Sequence, residues 1–406
     1  MAKLLYLVHR MPYPPNKGDK VRSYHLLKHL AARHEVYLGT FIDDPDDEQY
    51  LPVVQALCSE VHAAHLKPSA AKLASLRGLI TGEALTLPYY RDAGLARWVR
   101  ELAARVELDA VVVFSSSMAQ YATELTRLPM LVDFVDVDSA KWTDYAHAHA
   151  WPMSWLYRRE GARLLAFEAQ VAAQAACSFF VTDKETALFR RLAPGCTGKV
   201  EALGNGVDAD FFAPDAQRAS PFGADELPLV FTGAMDYWPN VDAVSWFSAE
   251  VLPALRKTWP HLSFYIVGRS PTPAVQALAR PGVVVTGTVP DVRPYLQHAA
   301  AVVAPLRLAR GIQNKILEAM AMARPVVAAR SCVEAITAEA GQGLIAADSA
   351  DDYARELVTL LADAQYADAF GRAGRECVLR SYSWDAHLSG IDRHLAARVA
   401  PQLEPA

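Results

Sequence analysis

Asn314, Lys315 and Glu318 fall near the start of the otherwise apolar stretch RGIQNKILEAMAMARPVVA (310–328), at spacings that place all three on one face of a helix. Ile316, Leu317, Ala319, Met320 and Ala321 supply apolar surface enough to bury most of the rest. A carboxylate on a largely buried helix is costly unless something satisfies it, so either Lys315 does so locally or a ligand does. Arg307 and Arg310 come just ahead, and the first helical turn is expected to begin at Gly311. Main-chain amides free at a helix start, together with two guanidinium groups, suit a diphosphate. Glu318, two turns in, would then reach ribose hydroxyls, with Gly311, Ile312 and Asn314 along the same site.

A second constellation is LVDFVDVDSAKW, which sets Asp133, Asp136 and Asp138 close together with Ser139 and Lys141 after them. Alternation along a strand would put Asp136 and Asp138 on one side, where such carboxylates repel unless a cation, a hydrogen-bonding ligand or Lys141 relieves them. One of them reads as a helix cap. The alternative is an aspartate that acts as base, for which Asp136 is the candidate, with Asp138 and Lys141 holding an acceptor hydroxyl. His9, at the end of the first strand, is a further acceptor-site candidate, beside the plainer reading of a structural histidine.

Loops after other strands add to this set. Gly18 precedes a helix from about Lys20 to Arg33 and would let main-chain amides approach a phosphate or sugar; a plain turn glycine is the alternative. The same loop lacks GxGxxG, which speaks against an NAD-linked oxidoreductase. Gly233 sits at a turn in FTGAMDYWPNVDA, where Asn240 or Asp242 reads as a helix cap and Asn240 as a shaper of the loop. Arg269 follows the strand of IVGRSP, and Gly287 and Val289 occupy a loop whose main chain would hold a flat nucleobase by its edge.

The elements that position these residues alternate strand and helix. Apolar runs at KLLYLV, EVYLGTF, DAVVVFS (109–115), PMLVDFVD (129–136) and CSFFVT (177–182) read as buried parallel strands separated by helices. The rhythm repeats at 227–233, 262–268, 283–287, 301–306, 325–329 and 343–347. This is an α/β pattern of two doubly wound Rossmann-like domains, with ligands expected at the carboxyl ends of the strands, in a cleft that the two domains face. GNGVDADFFAPDAQRASPFGADELP is the best linker, so the domains are expected at 1–205 and 206–385, with a helical tail at 386–406 that packs back on the first.

The 406 residues exceed what one core usually supports, and 52% hydrophobic content is enough for two. A net charge of -5 argues against a nucleic-acid binder. Cys58, Cys177, Cys196, Cys332 and Cys377 are widely spaced, without a CxxC pair, and are expected as buried reduced thiols in a cytoplasmic protein. The amino terminus is too short in apolar residues for a signal peptide, and no uninterrupted run approaches the roughly 18 needed to cross a membrane. HLKPSAAKLASLRGLI (65–80) sets Lys67, Lys72 and Arg77 beside Leu73, Leu76 and Ile80, which reads either as a solvated surface helix or as an amphipathic segment resting on the inner face of an anionic membrane.

LEAMAMARPVVA resembles the LEAMAxGxPVVA segment of the retaining GT-B glycosyltransferases of family 4 (GT4), also called glycosyl transferase group 1. LGNGVD with FFAP resembles that family's interdomain hinge, and SYSW its carboxyl-terminal F-S-W element. PYPPNKGDKVRSYHLLKHLA matches more loosely, and the chain is most similar to the sugar transferases of exopolysaccharide and exosortase gene clusters. The resemblance implies a metal-independent, cofactor-free hexosyltransferase with retention of configuration, taking a UDP- or GDP-sugar to a glycan or lipid-linked acceptor in exopolysaccharide biosynthesis. Glu318 matches the ribose-binding second glutamate of the family's E-x7-E motif, and Arg310 stands at the place of the first. The family's Arg and Lys pair on the donor diphosphate is absent from GAMDYWPN; positive charge would come instead from Arg269, Arg310 and Lys315. D136-V-D138 has the D-x-D form that binds metal in GT-A enzymes, but its place in the acceptor half argues against a metal here. Alternatives are a non-catalytic sugar-nucleotide-binding protein and a GT-B sugar-nucleotide epimerase.

Overall fold

A computed structural model describes all residues except 16–17, 308–311, 337–342 and 400–406. By internal contacts the chain forms two compact units. The first runs from Met1 to Asn205 and takes back the chain from His387 on; the second is Gly206–Ala386.

The first unit holds seven strands: β1 Lys3–Val8, β2 Glu35–Ile42, β3 Glu60–His65, β4 Ala110–Phe114, β5 Met130–Val135, β6 Cys177–Phe180 and β7 Val200–Ala202. They pair in parallel in the order β3-β2-β1-β4-β5-β6-β7. Leu4, Leu5, Tyr6 and Leu7 of β1 are all buried, as expected for a central parallel strand covered by helices on both faces. The strand order reverses between β1 and β4, and the crevice beyond strand ends at such a point is where doubly wound sheets bind ligands. The tail helix Trp384–Val399 buries Leu388, Ile391 and Leu395, and its Asp392 accepts from His29 at 2.9 Å.

The second unit repeats the design with β8 Leu227–Thr232, β9 Leu262–Val267, β10 Val283–Gly287, β11 Ala301–Ala304, β12 Val326–Ala329 and β13 Leu344–Ala347, in the order β10-β9-β8-β11-β12-β13. Here the reversal lies between β8 and β11. Both sheets are parallel and Rossmann-like.

Three local readings need correction. The helix of the first loop is Gly18–Ala31, with Gly18 as its first residue. The stretch 65–80 is not one amphipathic helix: β3 runs through His65, and two short helices follow, Pro68–Ser75 and Arg77–Thr81, the second ended by Gly82 in a left-handed conformation (φ 81°). Finally, β3 and β7 carried no apolar signal of their own. Both are outer strands, and β3 reads EVHAAH with only Ala64 buried.

Candidate active site

In the second unit a cavity of about 430 Å³ opens at the carboxyl ends of β8, β9 and β10 and against the helix Asn314–Ala321. Gly233, Arg269, Lys315 and Glu318 all line it, together with Thr288 and Val289. Its floor is main chain at very close quarters: a Cβ on Gly268 would lie 1.7 Å from the Gly233 carbonyl oxygen. A Cβ on Gly233 would meet Asn240 Nδ2 at 2.7 Å and Lys315 Nζ at 2.9 Å. Gly287 ends β10 with φ 68°, and no described residue lies within 4 Å of where its Cβ would stand; it adjoins Thr288 and Val289 but does not itself line the cavity.

The helix starts at Asn314, after Gln313, rather than at Gly311, so Glu318 is one turn in and not two. Asn314 is exposed, Ile312 is exposed ahead of it, and Arg310 and Gly311 lie outside the described residues. Lys315 Nζ donates to Asn240 Oδ1 at 2.6 Å and stands 4.2 Å from the centre of the Phe231 ring. Asn240 in turn donates from Nδ2 to the Ala234 carbonyl at 2.8 Å. Asn240 and Asp242 lie inside the helix Trp238–Trp246 and neither caps it. The pattern W-P-N gave no sign that Asn240 would hold a lysine 75 residues on.

Burial pushes the Glu318 carboxyl up to about 7, with the Lys315 charge pulling it back in part. Burial brings Lys315 down to about 8, against the pull of Glu318. Burial thus brings both groups toward neutrality from opposite sides. Arg307 is not available to a diphosphate in this arrangement: its guanidinium forms a two-point pair with Asp242, at 2.5 and 3.1 Å, and lies over Trp246.

In the first unit a cavity of about 580 Å³ sits at the strand reversal, with His9 after β1 and Ser115 after β4. Asp138 and Lys141 line it, as do Tyr90, Trp142, Tyr157 and Glu160. His9 stacks on Phe114 with ring centres 5.8 Å apart and meets Tyr90 edge-on at 5.7 Å. Its Nε2 lies 3.4 Å from Asp19 Oδ2, and its buried Nδ1 has no hydrogen-bond partner among the described residues. The hydrogen bond from His9, with the charge of Arg10 at 2.7 Å, holds the Asp19 carboxyl well below the usual carboxylate range.

Asp136 and Asp138 do not share one side of a strand. β5 ends at Val135, whose φ of 69° turns the chain, and Asp138 is the first residue of the helix Asp138–Ala148. Lys141 joins them, 2.8 Å from Asp136 and 3.1 Å from Asp138. Burial works against that ammonium, but Asp138 and Asp136 raise its pKa well above the usual lysine value. Asp133 is a core residue, fully buried in a two-point pair with Arg22 at 2.7 and 3.1 Å. The aromatic lining of this cavity is gathered from three places in the chain: Tyr89 and Tyr90 at the end of the short helix Thr86–Tyr89, Trp142 and Tyr145 on the helix Asp138–Ala148, and Tyr157 on the helix Met153–Gln174, so no single stretch announced it.

Residues 226–363 match the family model described as Glycosyl transferases group 1. No curated protein matches the sequence. Among solved structures, Anabaena HepE in complex with UDP is similar with a TM-score of 0.61 and 15% identity, over 97% of this chain and 100% of that one. Sucrose-phosphate synthase from Thermosynechococcus elongatus is similar with a TM-score of 0.58 and 19% identity, over 97% and 99%. WaaG, a glycosyltransferase involved in lipopolysaccharide biosynthesis, is similar with a TM-score of 0.53 and 16% identity, over 98% and 100%. At these identities the likeness is one of fold. The chain thus has the GT-B fold, and its second unit carries a domain of the type described as Glycosyl transferases group 1.

Proposed function

We propose that this protein is a glycosyltransferase that moves a sugar from a nucleoside-diphosphate sugar to an acceptor, with the donor held by the second unit and the acceptor by the first. The observation that carries this is the cavity beyond β8, β9 and β10, where Lys315, Arg269 and Glu318 converge on a main-chain floor. Glu318 accepts from the ribose hydroxyls. Lys315 and Arg269 stabilise the departing diphosphate, whose charge grows as the glycosidic bond breaks, so their effect is greatest at the transition state. Gly287 and Val289 border the base. HepE has been solved with UDP and with UDP-glucose, which favours a uridine nucleotide in the equivalent place. Transfer is read as retaining and independent of metal, in keeping with the resemblance of LEAMAMARPVVA and LGNGVD, and the product as an exopolysaccharide-type glycan.

On the acceptor side, His9, Asp138 and Lys141 offer the polar groups of a cavity otherwise walled by aromatic rings. Asp136, tied to Lys141, serves as the base by way of the same loop. Beside it Leu73, Leu76, Ile80, Trp151 and Trp155 are exposed, Ile80 at 90% and Trp151 at 81%. Arg159, one turn beyond Trp155, donates to the Gly78 carbonyl at 2.5 Å, which joins the two halves of this surface. Such a face, with Lys72 on the cavity wall, suits a lipid-linked acceptor taken from an anionic membrane on its cytoplasmic side. No helix among the described residues is long and apolar enough to cross a membrane.

Incubation with UDP- and GDP-sugars tests the reading. A transferase releases nucleotide slowly even without acceptor, and loses that release when Glu318 is changed to Gln. Binding without release would instead support a non-catalytic sugar-nucleotide binder, which the absence of Arg and Lys from GAMDYWPN favours as the second reading. Thermal shifts with UDP, GDP, ADP and dTDP would identify the base.

A further inference from the structure

Cys177 opens β6, Glu201 is the central residue of β7, and His394 lies on the tail helix Trp384–Val399. The sheet register pairs Phe179 with Glu201, and alternation puts Cys177 on the same face as Phe179. Cys177 and Glu201 are therefore diagonal neighbours on one face of the sheet. The tail helix covers that face, where the His394 ring meets Phe179 edge-on with centres 5.6 Å apart. His394 Nε2 stands 3.2 Å from Glu201 Oε1, and the thiol sulfur, a carboxylate oxygen and a ring nitrogen all lie within 4.8 Å of one another.

We propose that Cys177, Glu201 and His394 bind one zinc-class divalent cation, which fastens the tail helix to the outer edge of the first unit's sheet. A sulfur, a nitrogen and an oxygen donor form a set that zinc and cobalt accept, with water in the fourth tetrahedral position. Ligand atoms around such an ion stand roughly 3.3–3.6 Å apart, so closing the site needs side-chain rotation of about an ångström. Without metal, burial and the Glu201 charge push the Cys177 thiol up to about 12, against a smaller opposing effect of Arg393. The cation changes that balance: as the metal–sulfur bond forms, the thiol proton leaves to solvent and the positive ion offsets both the thiolate and the Glu201 carboxylate. The three ligands come from distant parts of the chain, and β7 is only three residues long, so the edge it joins has most to gain from a cross-link. This site is independent of the sugar-transfer reading.

The test is a cobalt titration of the full chain after chelator treatment. The expected result is one saturable equivalent with a thiolate-to-cobalt charge-transfer band and tetrahedral visible bands, displaced by zinc, and a zinc-dependent rise in thermal stability. Cys177→Ser should abolish the charge-transfer band. Glu201→Gln, at a half-exposed side chain that leaves the fold intact, should weaken cobalt by about tenfold or more, and His394→Ala likewise. No thiolate band in the unaltered protein would overturn the proposal. So would a band that persists in Cys177→Ser, or one unaffected by both Glu201→Gln and His394→Ala.

Discussion

Lys315 donates its hydrogen bond to Asn240 Oδ1 and not to Glu318, its neighbour three residues along the same helix. The carboxylate is left facing the cavity, acted on by Lys315 only through charge. Nucleotide affinity should therefore depend on both groups. Glu318, near 7, takes up a proton as pH falls and loses acceptor capacity; Lys315, near 8, loses its charge as pH rises. UDP binding should be tightest between those values and weaken on either side. Calorimetry at about pH 6, 7.5 and 9 should show this, and Glu318→Gln should bind about tenfold or more weakly at neutral pH and lack the acidic limb.

Asn240→Asp should place a carboxylate against Lys315 and raise the lysine's pKa. The basic limb of the UDP-binding profile should then move to higher pH while the acidic limb stays. Asn240→Ala should weaken binding at all pH values, since it also abandons the Ala234 carbonyl. An unshifted basic limb in Asn240→Asp would show that Lys315 does not set it.

Gly268 and Gly287 should respond differently to alanine. At Gly268 the new methyl collides with the Gly233 carbonyl at 1.7 Å, and a loss of about 2–4 kcal/mol in unfolding free energy is expected. At Gly287 the space is open and only the left-handed backbone is strained, for about 1–2 kcal/mol. Chemical denaturation of both variants measures the difference.

Glu168 predicts a pH dependence of stability in the first unit. It is buried, Ser139 Oγ donates to its Oε2 at 2.5 Å, and Oε1 has no partner among the described residues. Burial pushes its carboxyl from 4.5 up to about 8, with smaller opposing effects from Ser139. The folded state thus holds the proton more tightly than the unfolded one. Its stabilising contribution is full below about 4.5 and lost as pH rises through about 8. Denaturant midpoints should fall across that interval, and Glu168→Gln should flatten the fall.

If the exposed apolar face meets a membrane, the double change Ile80→Ser and Trp151→Ser should reduce co-sedimentation with anionic vesicles by about tenfold or more and leave UDP binding unaltered. Equal sedimentation of the two proteins would remove the membrane from the acceptor model.

Central strands were legible because parallel strands buried on both faces become plain apolar runs, as in KLLYLV and LSFYIV. Glu318 was legible because a carboxylate in a buried helix raises its own question. β3 and β7 were not: β3 reads EVHAAH and β7 is only the three residues VEA, whereas the outer strands β10 and β13 of the other sheet kept apolar runs. The pairing of Asp136 with Asp138 along one strand failed because Val135 takes a left-handed conformation, which no residue type at that position announces. Asn240 was missed for another reason: its partner is distant in sequence, and its nearest neighbours resemble an ordinary helix start.

Because the strand tips at Gly233 and Gly268 touch through peptide atoms, the base of the second unit's cavity cannot be resculpted by exchanging one residue for another. On the proposed donor reading, retuning of preference for one sugar or base over another would come from the rim side chains Thr288, Val289 and Val292. A mutagenesis library aimed at new donors belongs at those three positions, with the paired glycines left as a fixed template.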